Sequence, residues 1–447
     1  MSTVGLSRNA TAARRGFHVM TKATGPICNL DCTYCYYLEK ENLYPGTKNW
    51  GMTEETLESY VKQYIEAQSV PDINFAWQGG EPTILGVDFF RKAVAFQKRY
   101  ANGKTITNAL QTNGTLLDDE WCAFFAESQF LIGLSVDGPR EIHDEYRVDK
   151  GGRSSFDRVM RGLEFLKRHS VEFNTLTCVH RANQNKPTEV YRFLKDIGSR
   201  YMQFIPIVER TADAPEVLKL VQPDYEGDAR ISHWSVRPLA YGKFLSGIFD
   251  EWVRKDVGRY FVQIFDIALQ AWMGMEPGLC VFAETCGNAL VMEHNGDLYS
   301  CDHYVYPDFK VGNINDTPLG ELVHSAPQAA FGEAKRSTLP KYCIECEVRF
   351  ACNGECPKHR FIETPDGEPG LNYLCAGYKH FFNHVDPYMK FMAGELRAGR
   401  PAANVMRYVA AGPGIATTAQ ALSPNAACPC GSGKKYKRCC GAAGATR

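Results

Sequence analysis

Short apolar segments and longer segments of helical periodicity alternate through the first 210 residues of this chain. The apolar segments have the composition of β-strands and read GFHVMT, INFAW, TITNALQ, FLIGLSV, VEFNTLTCV and YMQFIPIV. Helices are predicted between them over 53–68, 88–100, 117–128, 154–168 and 187–197. Strands separated by helical crossovers form a parallel sheet with helices outside it. The pattern therefore predicts an α/β fold.

Six strand–helix units are fewer than the eight of a closed TIM barrel, so we expect an open, partial (β/α)6 barrel. In such folds the chemistry gathers at the C-terminal ends of the strands. Unusual loops follow the predicted strands at this rim; they are Cys28–Cys35, QGGEP at 78–82, QTNG at 111–114, SVDGP at 135–139 and PIVER at 206–210. Each loop alone could be an ordinary turn. Together on one rim they indicate a functional site.

Composition limits the partners. The 447 residues suffice for two or three domains, and a hydrophobic fraction of 44% supports a sizeable core. A formal net charge of −1 argues against broad electrostatic binding to nucleic acid or anionic membranes. The N-terminus lacks the apolar run of a signal peptide, and no apolar stretch reaches the ~18 residues of a membrane span. We therefore expect a cytoplasmic protein with no nucleic-acid partner and no membrane association.

Seventeen cysteines are unusual in that setting, because cysteines of a reducing compartment bind metals more often than they form disulfides. Cys122 and Cys178 stand alone in apolar surroundings and are expected to be buried free thiols. The others form groups, which are 28/32/35, 280/286/301, 343/346/352/356, 375 and 428/430/439/440. This grouping indicates several metal centres.

The first group has CxxxCxxC spacing and supplies three thiolates, whereas a closed zinc site takes four ligands. It indicates a metal with an open coordination position; the alternative is a zinc knuckle with a distant fourth ligand. The residues from Cys280 to Cys375 are loop-rich, which is typical of a region folded around metal. Their eight cysteines suit two iron–sulfur clusters or two structural zinc sites.

The stretch CNLDCTYC, with Tyr34 before the third cysteine, resembles the signature of radical S-adenosylmethionine (SAM) enzymes. In that family three cysteines hold a 4Fe–4S cluster whose fourth iron chelates SAM. An electron from the cluster then splits SAM to give a 5′-deoxyadenosyl radical. The resemblance implies that Cys28, Cys32 and Cys35 hold such a cluster.

The same resemblance implies SAM contacts from the other rim loops; they are Tyr34, Gly79, Gly80, Glu81, Ser135, Asp137, Arg147 and Val208. The backbone of GGEP can approach the methionine amino group because no Cβ intervenes at its glycines. Ser135, Asp137 and Arg147 match positions that hold the ribose and carboxylate, and an arginine fork suits a carboxylate. Val208 matches an apolar backbone contact with adenine. The alternative for Arg147 is a solvated surface charge.

The second cysteine block resembles the SPASM domain, which carries two further 4Fe–4S clusters in peptide-modifying radical SAM enzymes. By that pattern one auxiliary cluster has the ligands Cys280, Cys286, Cys301 and Cys356. The other has the ligands Cys343, Cys346, Cys352 and Cys375. Each set is complete, which implies electron transfer and an architectural role.

Residues 14–395 resemble the anaerobic sulfatase-maturating enzymes, chiefly in CNLDCTYCYYLEK, WQGGEPT, QTNGTLLDDEW, LSVDGPREIHDEYR and CDHYVYPDFKVGNI. That family oxidises an active-site Cys or Ser of a sulfatase, within a C/S-x-A/P-x-R motif, to Cα-formylglycine. The adenosyl radical takes a hydrogen from the substrate Cβ while a base removes the thiol or hydroxyl proton. Loss of one electron gives an aldehyde, or a thioaldehyde that then hydrolyses. The implied partners are a sulfatase polypeptide and a flavodoxin- or ferredoxin-like electron donor.

Three further positions match this family. Asp302, directly after Cys301, matches the proton acceptor; a carboxylate of reference pKa ~3.9 is a modest base, so burial or geometry has to help it. Gln78 and Tyr37 match positions near the substrate peptide. The alternatives are a turn residue for Asp302 and simple packing for Tyr37.

The tail CPCGSGKKYKRCC resembles the SEC-C motif. Its four thiolates suit a closed tetrahedral zinc site formed by Cys428, Cys430, Cys439 and Cys440. Basic residues in the tail would offset the tetrathiolate charge and could contact an acidic partner; they are Lys434, Lys435, Lys437 and Arg438. The alternative is a solubilising cap.

The predicted domains are a partial barrel over 1–235, the SPASM domain with flanking helices over 236–397, a linker over 398–423 and the SEC-C motif over 424–447. Two other functions stay open at this stage. One is a SPASM enzyme that forms thioether or other cross-links on a different peptide, and the other is a multi-zinc interaction protein without catalysis.

Overall fold

One continuous sheet of ten strands organises the computed structural model, which describes residues 16–212, 218–411, 435 and 438. The strands of the chain are β1 His18–Lys22, β2 Asp72–Gln78, β3 Thr105–Thr112, β4 Phe130–Ser135, β5 Phe173–Val179, β6 Tyr201–Pro206, β7 Arg210–Thr211, β8 Arg230–Ile231, β9 Phe261–Val262, β10 Ala289–Glu293, β11 Asp297–Tyr299, β12 Lys310–Asn313, β13 Ile362–Glu363 and β14 Pro369–Leu371. The large sheet has the order β12-β11-β10-β1-β2-β3-β4-β5-β6-β9.

Helices cover one side of this sheet and extend beyond it. They are α1 Glu54–Ala67, α2 Val87–Tyr100, α3 Asp119–Glu127, α4 Arg140–His143, α5 Phe156–Arg168, α6 Pro187–Asp196, α7 Pro238–Lys255, α8 Gln263–Trp272, α9 Leu319–Val323, α10 Ala326–Ser337, α11 Lys341–Ile344, α12 Arg349–Cys352, α13 Cys375–Arg397 and α14 Val405–Ala411. Short 3₁₀ segments occur at Leu38–Leu43, Pro82–Leu85, Asp302–Tyr304, Pro307–Phe309, Pro357–His359 and Ala402–Asn404. None of the helices in the described ranges is long and apolar enough to cross a bilayer.

The six-unit partial barrel predicted from the sequence is confirmed. Strands β1 to β6 pair in parallel and in chain order. Their outward side chains pack against the helices, as Val19, Phe75 and Ile132 show by their burial. The alternate residues face the barrel interior, because side chains alternate along a strand. The C-terminal ends of the strands therefore share one rim.

The sheet extends further than the sequence indicated. Strand β10 pairs in parallel with the free edge of β1, from His18 opposite Ala289 to Lys22 opposite Glu293. Strands β11 and β12 then continue the sheet in antiparallel pairing. The second cysteine block is thereby attached to the barrel through backbone hydrogen bonds, and the loop after β11 lies beside the rim at β1.

A second core forms around α7, α8 and α13. Helices α7 and α13 approach closely because both carry glycine at the crossing; a Cβ on Gly242 would lie 2.2 Å from the Gly377 carbonyl oxygen. Aromatic side chains such as Phe249, Phe265 and Phe381 fill the space between these helices. This core supports the second cysteine block from behind.

The linker predicted over 398–423 is wrong for its first part. Residues 402–411 are helical, and α14 packs against the core of α7 and α13. Val405 is fully buried, and the Tyr408 ring stacks on Phe391 at 4.5 Å. The linker prediction rests on the Ala- and Gly-rich composition of this segment. That composition does not take account of the apolar stripe of Val405, Tyr408 and Val409 at helical spacing. The cysteines of the predicted tail zinc site lie outside the described residues.

Candidate active site

The loop Cys28–Cys35, here called the cluster loop, follows β1 and is held on both sides by backbone hydrogen bonds. Asp31 donates to the Val148 carbonyl at 2.8 Å and Thr33 donates to the Tyr146 carbonyl at 2.9 Å. On the other side the backbone amide of Glu81 donates to Ile27 at 2.9 Å. The loop is therefore fixed between the loops that follow β2 and β4.

Burial raises the pKa of the three thiols of this loop. That of Cys28 rises to about 12 and that of Cys35 to about 11, and the pKa of Cys32 is also well above its ordinary value. Thiols in such surroundings stay protonated at neutral pH unless a metal replaces the proton. Free-thiol chemistry at neutral pH is therefore unfavourable in this loop, and a bound metal has to displace the thiol protons.

Cys343, Cys346, Cys352 and Cys375 of the second cysteine block line one cavity. Burial raises the pKa of Cys301, and the nearby charges of Cys356 and Cys280 raise it further. Burial raises the pKa of Cys375 to about 11, with contributions from Cys343 and Cys346. Cys301, Cys356 and Cys280 thus lie near one another, and the assignment of the two ligand sets stays a prediction.

The side chains that could bind metal do not converge on single points in the described ranges. Within residues 16–212 and 218–411, no three Cys, His, Asp or Glu side chains converge closely enough to hold one metal ion. A structural zinc site requires such convergence. Iron–sulfur clusters bind their cysteines through several irons, so the ligand thiols of one cluster need not converge on one point.

The glycines after β2 are required by the packing of two loops. A Cβ on Gly80 would lie 2.1 Å from the Ile27 carbonyl oxygen, and one on Gly79 would lie 2.6 Å from the Thr24 hydroxyl. Gly79 also has a φ of +149°. The two glycines are therefore required by the close approach of Thr24 and Ile27, which the sequence did not reveal. The approach of SAM to the same backbone stays a prediction.

Replacing Gly80 by alanine should destabilise the holoprotein by about 1–3 kcal/mol, because the added methyl group has to push away the backbone of Pro26 and Ile27, just before the cluster loop. The urea midpoint of anaerobic protein measures the loss. Gly394→Ala is the matched control, since a Cβ there meets open space in α13. Equal midpoints for both variants would show that the two loops separate without cost.

The Glu81 carboxylate accepts hydrogen bonds from neighbouring residues of the protein. One oxygen accepts from the hydroxyls of Thr83 at 2.6 Å and Thr112 at 2.7 Å, and the other accepts from the Asn113 amide at 2.8 Å. Burial raises the pKa of Glu81 despite these donors. The side chain ties the loop after β2 to the end of β3.

Arg147 and Asp137 form a buried ion pair at the end of β4. Nε of Arg147 lies 2.9 Å from Oδ2 of Asp137, and Nη2 lies 3.2 Å from Oδ1. The Tyr34 hydroxyl and the Cys178 amide also donate to this carboxylate, at 2.5 and 2.9 Å. Arg147 is 7% exposed, so its interpretation as a solvated surface charge is wrong.

The carboxylate of Asp137 stays ionised here. Burial acts to raise its pKa, but the Arg147 guanidinium and His180 hold that pKa far below the ordinary value. Cys178, expected in apolar surroundings, lies 3.6 Å from Nη2 of Arg147. Cys122 is buried as expected.

Two further predicted positions lie at the ends of β4 and β6. The Ser135 hydroxyl accepts a hydrogen bond from Nε2 of Gln111 at 2.9 Å. Val208 is buried just after β6, in a segment that pairs with Val179 and Val236 through Ile207. Both positions lie on the same rim as the cluster loop.

Asp302 reaches the rim from the second cysteine block. Lys22 Nζ, at the end of β1, lies 2.8 Å from its Oδ1, and the Tyr36 hydroxyl donates a short hydrogen bond to its Oδ2. Burial acts to raise the pKa of Asp302, but the charge of Lys22 contributes most to holding it below the ordinary value. Asp302 is therefore ionised at neutral pH. Its lowered pKa makes it a weaker base than a free carboxylate, so any help in accepting a proton has to come from geometry and not from burial.

Sequence reasoning missed Lys22 and Tyr36, the two partners of Asp302. Lys22 is 2% exposed and lies over the Tyr37 ring at 4.1 Å. A lysine at the end of an otherwise uncharged strand was the signal available for it. Tyr36 sits next to Cys35, within the motif itself.

Of the two predicted substrate contacts, Gln78 ends β2 directly opposite Lys22 in the strand register. Tyr37 is almost fully buried, and its hydroxyl donates to Glu293 at the end of β10. Its ring packs under Lys22, so it supports the residue that pairs with Asp302.

Comparison with known proteins agrees with this geometry. Residues 23–194 match the Radical SAM superfamily, 280–347 match the SPASM iron-sulfur cluster-binding domain and 425–442 match the SEC-C motif. The chain is 50% identical over 390 residues to the serine-type anaerobic sulfatase-maturating enzyme of Bacteroides thetaiotaomicron, covering 87% of this chain and 94% of that protein. It is 34% identical over 384 residues to the cysteine-type enzyme of Clostridium perfringens, covering 85% and 99%.

Solved structures give the same result. The structure of native anSMEcpe with bound AdoMet and Cp18Cys peptide aligns with a TM-score of 0.74 at 32% identity, covering 86% of this chain and 100% of that one. Streptococcus suis SuiB with its precursor peptide SuiA aligns with a TM-score of 0.55 at 14% identity, over 80% of this chain and 76% of that one, and shares the fold. The chain therefore belongs to the anaerobic sulfatase-maturating enzymes, within the radical SAM superfamily.

Proposed function

We propose that this chain oxidises an active-site Cys or Ser of a sulfatase, within a C/S-x-A/P-x-R motif, to Cα-formylglycine. The observation that carries the proposal is the position of Asp302, which comes from the second cysteine block yet contacts Lys22 and the residue after Cys35. An ionised carboxylate thus lies beside the cluster loop at the barrel rim. The 50% identity to the serine-type relative, against 34% to a cysteine-type one, supports acceptance of serine.

The cofactors of this proposal are three 4Fe–4S clusters, SAM and a zinc ion in the tail. The first cluster has the ligands Cys28, Cys32 and Cys35, and the auxiliary clusters have the two sets of four described above. When bound, the clusters and SAM supply the 5′-deoxyadenosyl radical that takes a hydrogen atom from the substrate Cβ, and an acceptor for the remaining electron.

Residues of the barrel rim orient SAM. Gly79 and Gly80 offer backbone groups, Val208 offers backbone to adenine, and Ser135 and Arg147 face the ribose and carboxylate. Nη1 is the Arg147 nitrogen that takes no part in the pairing with Asp137. Tyr34, Asp137 and Glu81 act as positioning residues, because their side chains are engaged inside the protein.

Asp302 is the proposed base. It takes the proton of the substrate thiol or hydroxyl, while Lys22 and Tyr36 hold its two oxygens in place. Gln78, opposite Lys22, lies where the peptide would pass, and Tyr37 supports Lys22 from below. General-base assistance of this kind contributes about 10²–10⁴-fold in rate.

The decisive assay combines anaerobically reconstituted enzyme, SAM and a reductant with peptides that contain C-x-P-x-R or S-x-P-x-R. We expect mass losses that match formylglycine in both, and no change in a peptide with Ala at the target position. 5′-Deoxyadenosine formed while both peptides stay unchanged would overturn the proposal in favour of another peptide modification, such as a thioether or cross-link.

Iron content tests the cofactor assignment separately. Anaerobically purified protein should be brown and hold about twelve irons per chain, since each 4Fe–4S cluster has four. The triple variant Cys28→Ala, Cys32→Ala, Cys35→Ala should lose about four of them. Colourless protein that holds only zinc would contradict the assignment.

The remaining proposals concern partners and organisation. A flavodoxin- or ferredoxin-like protein supplies electrons, and the enzyme acts on its sulfatase in the cytoplasm. The tail binds zinc through Cys428, Cys430, Cys439 and Cys440, and its basic residues contact an acidic partner. The domains run over 1–235, 236–397 and 424–447, with the linker restricted to the residues after 411. Truncation after residue 411 should remove one zinc per chain without loss of iron.

A further inference from the structure

Gln111, near the end of β3, lies beside two residues of β4 on the inner face of the barrel. In the strand register Gln111 is opposite Gly133. Ser135 lies two residues further along β4, and residues two apart share one face of a strand. Nε2 of Gln111 donates to the Ser135 hydroxyl at 2.9 Å. The amide therefore crosses from β3 to β4 just below the rim.

Gly133 leaves the space that this amide occupies. A Cβ on Gly133 would lie 2.1 Å from Oε1 and 2.9 Å from Cδ of Gln111. Glycine inside a strand weakens it and often marks a place where another group approaches closely. The φ of Gly133 is not among the positive values of the chain, so its conformation does not demand glycine. Space for the Gln111 side chain therefore explains why residue 133 is glycine.

The hydrogen bond from Gln111 sets the direction of the Ser135 hydroxyl. A serine hydroxyl has one proton to donate and two lone pairs that accept. The Gln111 amide occupies one lone pair, so the hydroxyl proton is left to be donated elsewhere. Ser135 is the last residue of β4, and the Cys28–Cys35 loop lies on the same rim. A group that only accepts hydrogen bonds suits this proton best, and a carboxylate is such a group.

We propose that Gln111 is a positioning residue that turns the Ser135 hydroxyl into a donor toward the SAM carboxylate, and that Gly133 is glycine to admit the Gln111 amide. The inference rests on the proposed function in that it takes SAM as the ligand of this rim. It adds two residues, Gln111 and Gly133, that no motif match assigned a role.

The test is equilibrium binding of SAM to the reconstituted holoprotein, anaerobically and without reductant, so that no turnover occurs. Gln111→Met should weaken SAM binding by roughly three- to tenfold, the range of one neutral hydrogen bond. Gln111→Glu should weaken it more, because the carboxylate accepts the serine proton and repels the SAM carboxylate. Gln203→Met, which also changes an inward-facing glutamine on β6, is the control and should bind SAM as the wild type does.

A double-mutant cycle identifies the route of the effect. If Gln111 acts through Ser135, the Gln111→Met change should cost nothing further in a Ser135→Ala background. Decarboxylated SAM should bind wild type and Gln111→Met equally, whereas a 2′-deoxyribose analogue should show the same loss as SAM. Additive effects in the cycle, or an equal loss with decarboxylated SAM, would overturn the inference.

Gly133→Ala tests the space requirement. The variant should bind SAM more weakly and unfold at a lower urea concentration than the wild type, because the new Cβ clashes with Gln111. The second change Gln111→Ala removes the clash, so it should return the urea midpoint toward that of the wild type. A Gly133→Ala protein with unchanged SAM affinity would contradict the role given to Gly133. Failure of the cycle while the wild type still oxidises the peptides would refute this inference alone, whereas absence of SAM binding to the wild type would refute the proposed function.

Discussion

Replacing Asp302 by asparagine is expected to lower the rate of formylglycine formation by about 10²–10⁴-fold while the protein keeps all its iron. Asparagine has nearly the shape of aspartate, and its amide oxygen can still accept from Tyr36 or Lys22. It cannot take up the substrate proton at neutral pH. The effect should therefore fall on product formation in single-turnover mass spectrometry and spare iron content.

The position of Asp302 beside Cys301 makes iron content the essential companion measurement. Asp308→Asn is the matched control, because it changes an exposed aspartate six residues further along the same loop. It should retain both iron and activity. Wild-type turnover by Asp302→Asn would remove Asp302 from the role of base, and lost iron in that variant would assign it a structural role instead.

The barrel could be predicted because its signals are local. The stripe of Leu57, Tyr60, Val61 and Tyr64 and the cap at Thr53 define α1 within one turn of the observed helix, and the Thr53 side chain accepts from the Thr56 amide. Parallel pairing of β1 to β6 follows from the alternation of strands and crossovers. These features require no knowledge of distant contacts.

The extension of the sheet could not be predicted in this way. Strand β10 is five residues long and pairs with β1 across more than half the chain. Its sequence, ALVME, would suit any buried strand, and nothing local indicates its partner. The contact between Tyr36 and Asp302, 266 residues apart, depends on that same pairing.

The motifs predicted which residues gather at the rim better than which atoms face a ligand. Asp137 and Glu81 are both part of matched motifs, yet hydrogen bonds within the protein occupy their carboxylates. A motif records residue types at positions, whereas the free lone pairs depend on neighbours such as Tyr34 and Asn113. A positioning role for Asp137 and Glu81 is therefore part of the proposed function.

Replacing Arg147 by methionine should destabilise the protein by about 3–5 kcal/mol, the usual cost of removing one member of a buried ion pair. Methionine approximates the length of the side chain but leaves the Asp137 carboxylate buried without its bidentate partner. Its remaining partners are the Tyr34 hydroxyl, the Cys178 amide and His180, whose Nε2 lies 3.5 Å from Oδ2, and none of them replaces the bidentate guanidinium. The urea midpoint of the anaerobic holoprotein measures the loss, and SAM binding should weaken with it.

Two variants separate the charge effect from lost packing. Arg153→Met removes an arginine that is 82% exposed, and its buried partner Asp149 keeps Arg158 and two backbone amides, so the change should cost no more than about 1 kcal/mol. The double variant Asp137→Asn, Arg147→Met removes both buried charges, so it should recover part of the stability lost in Arg147→Met. If the double variant were the least stable of the three, the hydrogen bonds of Asp137 rather than its charge pairing would hold this end of β4 together. SAM affinity should stay low in the double variant even where stability returns, because the proposed contact of Arg147 with SAM is then absent.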